Sequence, residues 1–350
     1  MIPLATKPPV QAHSLGGQNG ICNELLPNDS VFTRLLYVIR AMVDNGFFVL
    51  LDNHLNMDST ATDNPDLWRL MWKQLMTGVG GMGPKYQNSV MVDLLNEPDS
   101  RGLNWNTVTP LYLAAMDDIH ALSPLSLFWI EGCGQIPYAM NWGDGFVVDD
   151  RIIKEYGITD PKPFFDAVLA KPYRDLVVLS PHYYPPSISL QHNNFTGVEL
   201  FTKMQNSFGW ATAGHGYKNK TFPAAVGETG SFLLTAADVA MLTDMARYLH
   251  NDYSSLPPGF DYQRFPHKTM PNLAWWAWNA NSGDTGGIVD NDWITEAGPV
   301  ISRSLQVLWN KVNWMVGAVH LTPWYMTYVS PQALPPTAKP PVEVGSQAGR

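Results

Sequence analysis

Six runs of apolar, β-branched and aromatic residues punctuate the chain, each closing on polar residues. They are Phe47–Leu51, Val90–Leu95, Leu125–Ile130, Leu176–Leu179, Phe222–Val226 and Leu273–Trp278. Their near-continuous apolar character predicts strands buried on both faces of a parallel sheet, because a strand with one wet face alternates instead. Roughly 35 to 50 residues separate the ends of successive runs, room for a helix and a loop in each gap, as parallel strands require.

Helical patterns occupy those gaps. Val31, Leu35, Val38, Ile39, Met42 and Val43 share one stripe of a helix predicted from Val31 to Asp44, with Ser30 as N-cap and Gly46 as terminator. A second helix is predicted over Pro65–Met76, capped by Asn64 or Asp63, with Pro65 in its first turn. A third runs from Pro110 to Ala121 and stops before Ser123-Pro124. Val300 to Val316 reads as a closing helix ended by Gly317, and the segment from Pro331 to Arg350 as a disordered end or linker. The expected organisation is a catalytic barrel over residues 1–322 and a Pro-rich tail over 323–350.

Alternating strands and helices predict an α/β fold, a (β/α)8 TIM barrel, with a doubly wound open sheet as competitor. Too little chain precedes Phe47 to hold two more strands with their helices, although Met1-Ile2-Pro3-Leu4 reads as the stub of one. The barrel is therefore expected to be N-terminally incomplete.

Composition narrows the partners. Of 350 residues, 45% are hydrophobic and 15% charged, the balance of a globular protein, and the net charge of -9 argues against nucleic acid. No run approaches the ~20 apolar residues of a membrane span, and the first residues lack the basic start and apolar core of a signal peptide. Thirteen Trp and fourteen Tyr suit either a packed core or a sugar-binding cleft. Cys22 and Cys133 allow one disulfide or two free thiols, but no disulfide scaffold and no four-cysteine zinc site. Three matches to the glycosylation acceptor pattern, at Asn28, Asn194 and Asn219, are little more than chance supplies.

The strand ends carry the chemistry. In order they read Asp52-Asn53-His54, Asn96-Glu97-Pro98, Glu131-Gly132, His182-Tyr183-Tyr184, Glu228-Thr229-Gly230 and Trp276-Ala277-Trp278-Asn279. In a barrel these ends share one rim, where active sites are built. Two glutamates directly after buried strands fit glycosidic hydrolysis, in which one carboxyl protonates the leaving oxygen and a second attacks or stabilises the oxocarbenium-like centre. Glu131, following Ile130, is more simply read as a buried structural acid. Neither His-x-His nor His-Glu-x-x-His spacing occurs, no Gly-rich phosphate loop follows a strand, and no nucleophile-elbow serine is present, so neither metal nor cofactor is expected.

These motifs resemble glycoside hydrolase family 5, the family of many endoglucanases and mannanases. Val92-Asp93-Leu94-Leu95-Asn96-Glu97-Pro98 is similar to its acid/base strand and Val226-Gly227-Glu228-Thr229-Gly230 to its nucleophile strand. Leu51-Asp52-Asn53-His54, Ser180-Pro181-His182-Tyr183-Tyr184 and the segment from Ala274 to Asn279, continuing through Ser282-Gly283-Asp284-Thr285-Gly286-Gly287, match further strand-end motifs. Five motifs in order and spacing carry the resemblance.

The resemblance implies retaining hydrolysis of β-1,4 bonds by double displacement, with Glu97 as acid/base and Glu228 as nucleophile. Cellulose or another β-glucan is the implied substrate; a β-mannanase, another β-glycosidase or a non-catalytic carbohydrate-binding relic are the alternatives. It implies that Tyr184 orients Glu228, that Asn96 donates to the sugar 2-hydroxyl, and that His54 and His182 bind sugar hydroxyls or tune the carboxylates. Trp276 becomes the stacking platform, and Asp284 fixes its Gly-rich loop. The implied protein is a secreted monomer acting on a polysaccharide or oligosaccharide, without nucleic-acid or membrane partners. The family also has a first strand and an arginine ending the second, for which the chain offers no match, so the resemblance is to a barrel lacking its first βα unit.

Overall fold

The computed structural model describes residues 29–54, 60–139, 142–189, 195–270, 272–280, 282–292 and 295. Met1–Leu4, Cys22, the closing helix and the C-terminal tail lie outside the described residues. The chain divides at Pro181/His182 into two compact units.

In the first unit, helix α1 (Val31–Asp44) starts where the Ser30 hydroxyl accepts the Thr33 N–H, 3.1 Å away. It buries Ile39 and Val43 and leads through Gly46, at φ 89°, into strand β1 (Val49–Asp52). Helix α2 (Pro65–Gly81) is capped by Asn64 and buries Trp68, Trp72, Met76 and Val79, a stripe at helical spacing. It runs five residues past the expected Met76, through three glycines that propensity disfavours. Tertiary packing is the reason: a Cβ on Gly78 would meet the Leu36 side chain at 2.7 Å, and one on Gly80 the Leu122 carbonyl at 2.3 Å.

Strand β2 (Val90–Asp93) follows, then helix α3 (Trp105–Leu122), strand β3 (Phe128–Ile130), helix α4 (Lys162–Leu169) and strand β4 (Val177–Leu179). Helix α3 begins five residues before Pro110, because Asn104 accepts the N–H groups of Asn106 and Thr107 and so starts the helix upstream of the proline. The four strands form one parallel sheet in the order β1-β2-β3-β4, with Leu51 opposite Val92 and Phe128 opposite Val177. Sequential order without a reversal is barrel-like; a doubly wound sheet reverses at its switch point. Burial on both faces is complete in β4 and nearly so in β2 and β3, as the apolar runs predict, whereas β1 buries only Val49 and leaves Asp52 exposed.

The second unit holds helix α5 (Gly197–Ser207), strand β5 (Val226–Thr229), helix α6 (Ala236–Leu249) and strand β6 (Leu273–Trp275). Strands β5 and β6 pair in parallel. Strand β5 begins where the expected run Phe222–Val226 ends, since Pro223 has no N–H to give a ladder and Phe222 N–H is spent on the Ala211 carbonyl. Glu228 therefore sits within the strand rather than after it. Its core is aromatic: Phe201 meets Tyr248, Tyr253 and Phe265 edge to face. Among the described residues no helix is long and apolar enough to cross a membrane.

Candidate active site

Within the first unit, the ends of β1, β2 and β3 gather His54, Asn96, Glu97 and Glu131. His54 Nδ1 lies 2.6 Å from Asp52 Oδ2, which fixes the ring. Asn53 and Asn96 tie the first two strand ends together through the bond from Asn96 N–H to the Asn53 carbonyl, 3.2 Å, and Asn96 itself is buried.

Glu97 occupies the left-handed region at φ 43° and ψ 61°, opening a 3-10 turn over Pro98–Arg101. For a residue with a Cβ this conformation costs about 1 kcal/mol or more, so surrounding bonds must enforce it. Its N–H donates to Glu131 Oε2 at 2.9 Å, and its carbonyl accepts from both the N–H and the hydroxyl of Ser100. Glu131 is buried, as expected of a structural acid, and the structure places its carboxylate against the backbone of the predicted acid/base.

Two partners of this arrangement had no local signature in the sequence. Asp99 Oδ1 accepts the Gly134 N–H at 2.6 Å across 35 residues. Burial pushes the Asp99 carboxyl up to about 7; the Gly134 and Gly143 N–H groups oppose the rise and the charge of Glu97 adds to it. Gln135, fully buried, accepts the Val147 N–H and donates to the Val147 and Thr159 carbonyls. A polar residue in a loop acquires such a role only through the distant segment it meets, which spacing does not reveal. Next to Glu131 and Asp99, burial and their charges push the Cys133 thiol well above its usual value.

Within the second unit, β5 and β6 bring His182, Tyr184, Glu228 and Trp276 together. The Tyr184 hydroxyl donates to Glu228 Oε2 at 2.7 Å, and His182 Nδ1 lies 3.6 Å from the same oxygen. Tyr183 N–H donates to the Glu228 carbonyl and Trp276 N–H to that of Thr229, continuing the sheet across the strand ends. His182 and Tyr184 are buried, whereas Trp276 is half-buried and Trp278 exposed. The Trp276 indole N–H donates to the Ser282 hydroxyl, which donates in turn to Asp284, so Asp284 does fix the loop beneath the tryptophan.

Each unit thus presents a glutamate at a parallel strand end with its backbone or carboxylate held by buried polar groups, the kind of rim that α/β barrel hydrolases use. The family model described as Cellulase (glycosyl hydrolase family 5) matches residues 10–282, and the chain belongs to that family. Its fold is the (β/α)8 barrel of the family, and the same fold appears in a hyperthermostable endocellulase, at a TM-score of 0.53 and 20% identity over 78% of this chain and 73% of that one. An endocellulase from Pyrococcus horikoshii, solved with cellotetraose, aligns at a TM-score of 0.50 and 19% identity over 79% of this chain and 74% of that one. Endoglucanase G of Acetivibrio thermocellus is 24% identical over 84% of this chain and 57% of its own length. An endoglucanase of Paenibacillus polymyxa is 28% identical over 65% of this chain and 51% of its own. The chain spans about half the length of the curated relatives it matches.

Proposed function

We propose that this chain hydrolyses β-1,4-glycosidic bonds in cellulose or another β-glucan by double displacement with net retention. Glu228 is the nucleophile and Glu97 the acid/base. The observation that carries the reading is the environment of Glu228, a strand-end carboxylate whose Oε2 accepts the Tyr184 hydroxyl beside a buried His182. Hydrogen bonds donated to a carboxylate favour its charged form and restrict its direction, as a nucleophile requires. Family membership, two curated endoglucanases and a cellotetraose complex among the solved structures support a β-glucan substrate.

Around that centre, Asn96 donates to the sugar 2-hydroxyl, His54 and His182 meet sugar hydroxyls, and half-buried Trp276 stacks under the ring at the cleavage point. A polymeric substrate cannot enter a cell intact, which supports action outside it.

Incubating the chain with cello-oligosaccharides and following the product anomer by proton NMR tests this. The β-anomer should appear first, and Glu228→Gln should abolish turnover. First appearance of the α-anomer would rule out double displacement. Turnover of mannan but not of carboxymethylcellulose would replace the glucanase with a mannanase, and glucan binding without turnover by the folded chain would leave a binding protein.

A further inference from the structure

The left-handed backbone at Glu97 is held by two carboxylates that the hydrolytic chemistry does not itself call for. Glu131, on the loop after β3, accepts the N–H of Glu97 on the loop after β2. Asp99, on the loop after β2, accepts the N–H of Gly134 on the loop after β3. The two bonds run in opposite directions between the same two loops and close a ring around the Glu97 peptide. Both carboxyl groups are buried, at 1% and 6% exposure, where losing the bond to a backbone N–H leaves a polar group unpaired.

The far side of the ring is rigid. A Cβ on Gly132 would sit 2.7 Å from the Gly145 backbone, and one on Gly143, at φ 73°, would sit 2.5 Å from Glu131 Oε2. Gln135 ties the loop to Val147 and Thr159, and the Trp105 indole N–H donates to the Gly145 carbonyl at 2.7 Å. Glu131 therefore meets Glu97 from a fixed platform. We propose that Glu131 and Asp99 are positioning residues for the general acid: their reciprocal bonds impose the backbone conformation that aims the Glu97 carboxyl at the leaving-group oxygen. This rests on the reading of Glu97 as the acid/base.

Aryl β-cellobiosides of graded leaving-group acidity separate aim from mere stability. A dinitrophenolate departs without a proton, whereas phenolate needs one, so kcat/KM on the two substrates splits acid assistance from everything else. Glu131→Met removes the acceptor at similar length, and Asp99→Ala removes the other. Each should lower kcat/KM for phenyl cellobioside about 10-fold or more while changing that for the dinitrophenyl compound about threefold at most, since a misaimed acid loses part of a 10²–10⁴-fold contribution. Glu131→Gln and Asp99→Asn keep an acceptor oxygen and should recover part of the loss.

Equal losses on both substrates, or none, overturn the positioning role. The two residues are read separately, so a variant that fails to fold leaves the other to decide. Glu97→Ala runs alongside: a uniform loss across leaving groups there overturns the acid/base reading itself, whereas a selective loss in Glu97→Ala alone overturns only the positioning role.

Discussion

The hydroxyl of Tyr184 and the carboxylate of Glu228 are 2.7 Å apart, and Tyr184 is buried with only 4% of its surface exposed. Removing that one oxygen leaves the ring packed and takes away a bond to a charged acceptor, worth about 1.5–3 kcal/mol. Tyr184→Phe should therefore fold normally and lose roughly 10- to 100-fold in kcat/KM on cello-oligosaccharides. An unchanged rate would mean that Glu228 is oriented by other groups. This contact was legible from sequence because both residues sit in strand-end motifs. Asp99 was not: it follows Pro98 in an ordinary turn sequence, and only its bond to Gly134 distinguishes it from a solvated acid.

At the level of elements, legibility followed burial. Strands β2 to β4 announced themselves because both faces are largely covered, which writes an unbroken apolar run into the chain; β1 and β6 are less buried than their apolar runs suggest. Strand ends shifted where a backbone donor was missing or committed elsewhere, as at Pro223 and Phe222. The end of α2 and the start of α3 were less legible, since close approach at Gly78 and Gly80 outweighs propensity in one and the Asn104 cap precedes the proline in the other. The loop after β3 carried no regular pattern, yet it is among the best-tied segments, with one glutamine side chain making three bonds to main chain. Gln135→Ala would strand those groups in the interior and should cost about 3 kcal/mol. Urea titration would register this as a lower midpoint with an unchanged slope, and a loss below about 0.5 kcal/mol would show that the loop is held by its glycine contacts instead.

For the molecule as a whole, pH acts with opposite signs in the two units: Asp99, raised to about 7, favours the fold at low pH in the first, and two histidines oppose it there in the second. Burial lowers His267 to about 4, against the pull of its bonds to Lys268 and Tyr248; burial, then the charge of His267, lowers His250 to about 4. His267 rests on the Tyr248 ring with centroids 4.1 Å apart, its Nδ1 2.8 Å from the Lys268 carbonyl. The folded chain keeps these rings neutral where the unfolded chain, near 6.5, would protonate them. Their contribution is therefore complete above about pH 6.5 and is lost as the pH falls toward 4. His267→Gln removes one of them, so its Tm should fall less steeply than that of the wild type between pH 6.5 and 4; parallel curves would contradict the neutral buried ring.

The free thiol of Cys133, buried beside Glu131 and Asp99, has a consequence of a different kind. Alkylating and disulfide-exchange reagents react with thiolate, and burial and two neighbouring carboxylates deny this sulfur both solvent and ionisation. It stays chemically silent while the surrounding loops are closed and becomes reactive only when they part. Its labelling rate counts those partings, so the chain carries beside Glu97 its own gauge of how often the shelf supporting that residue comes undone.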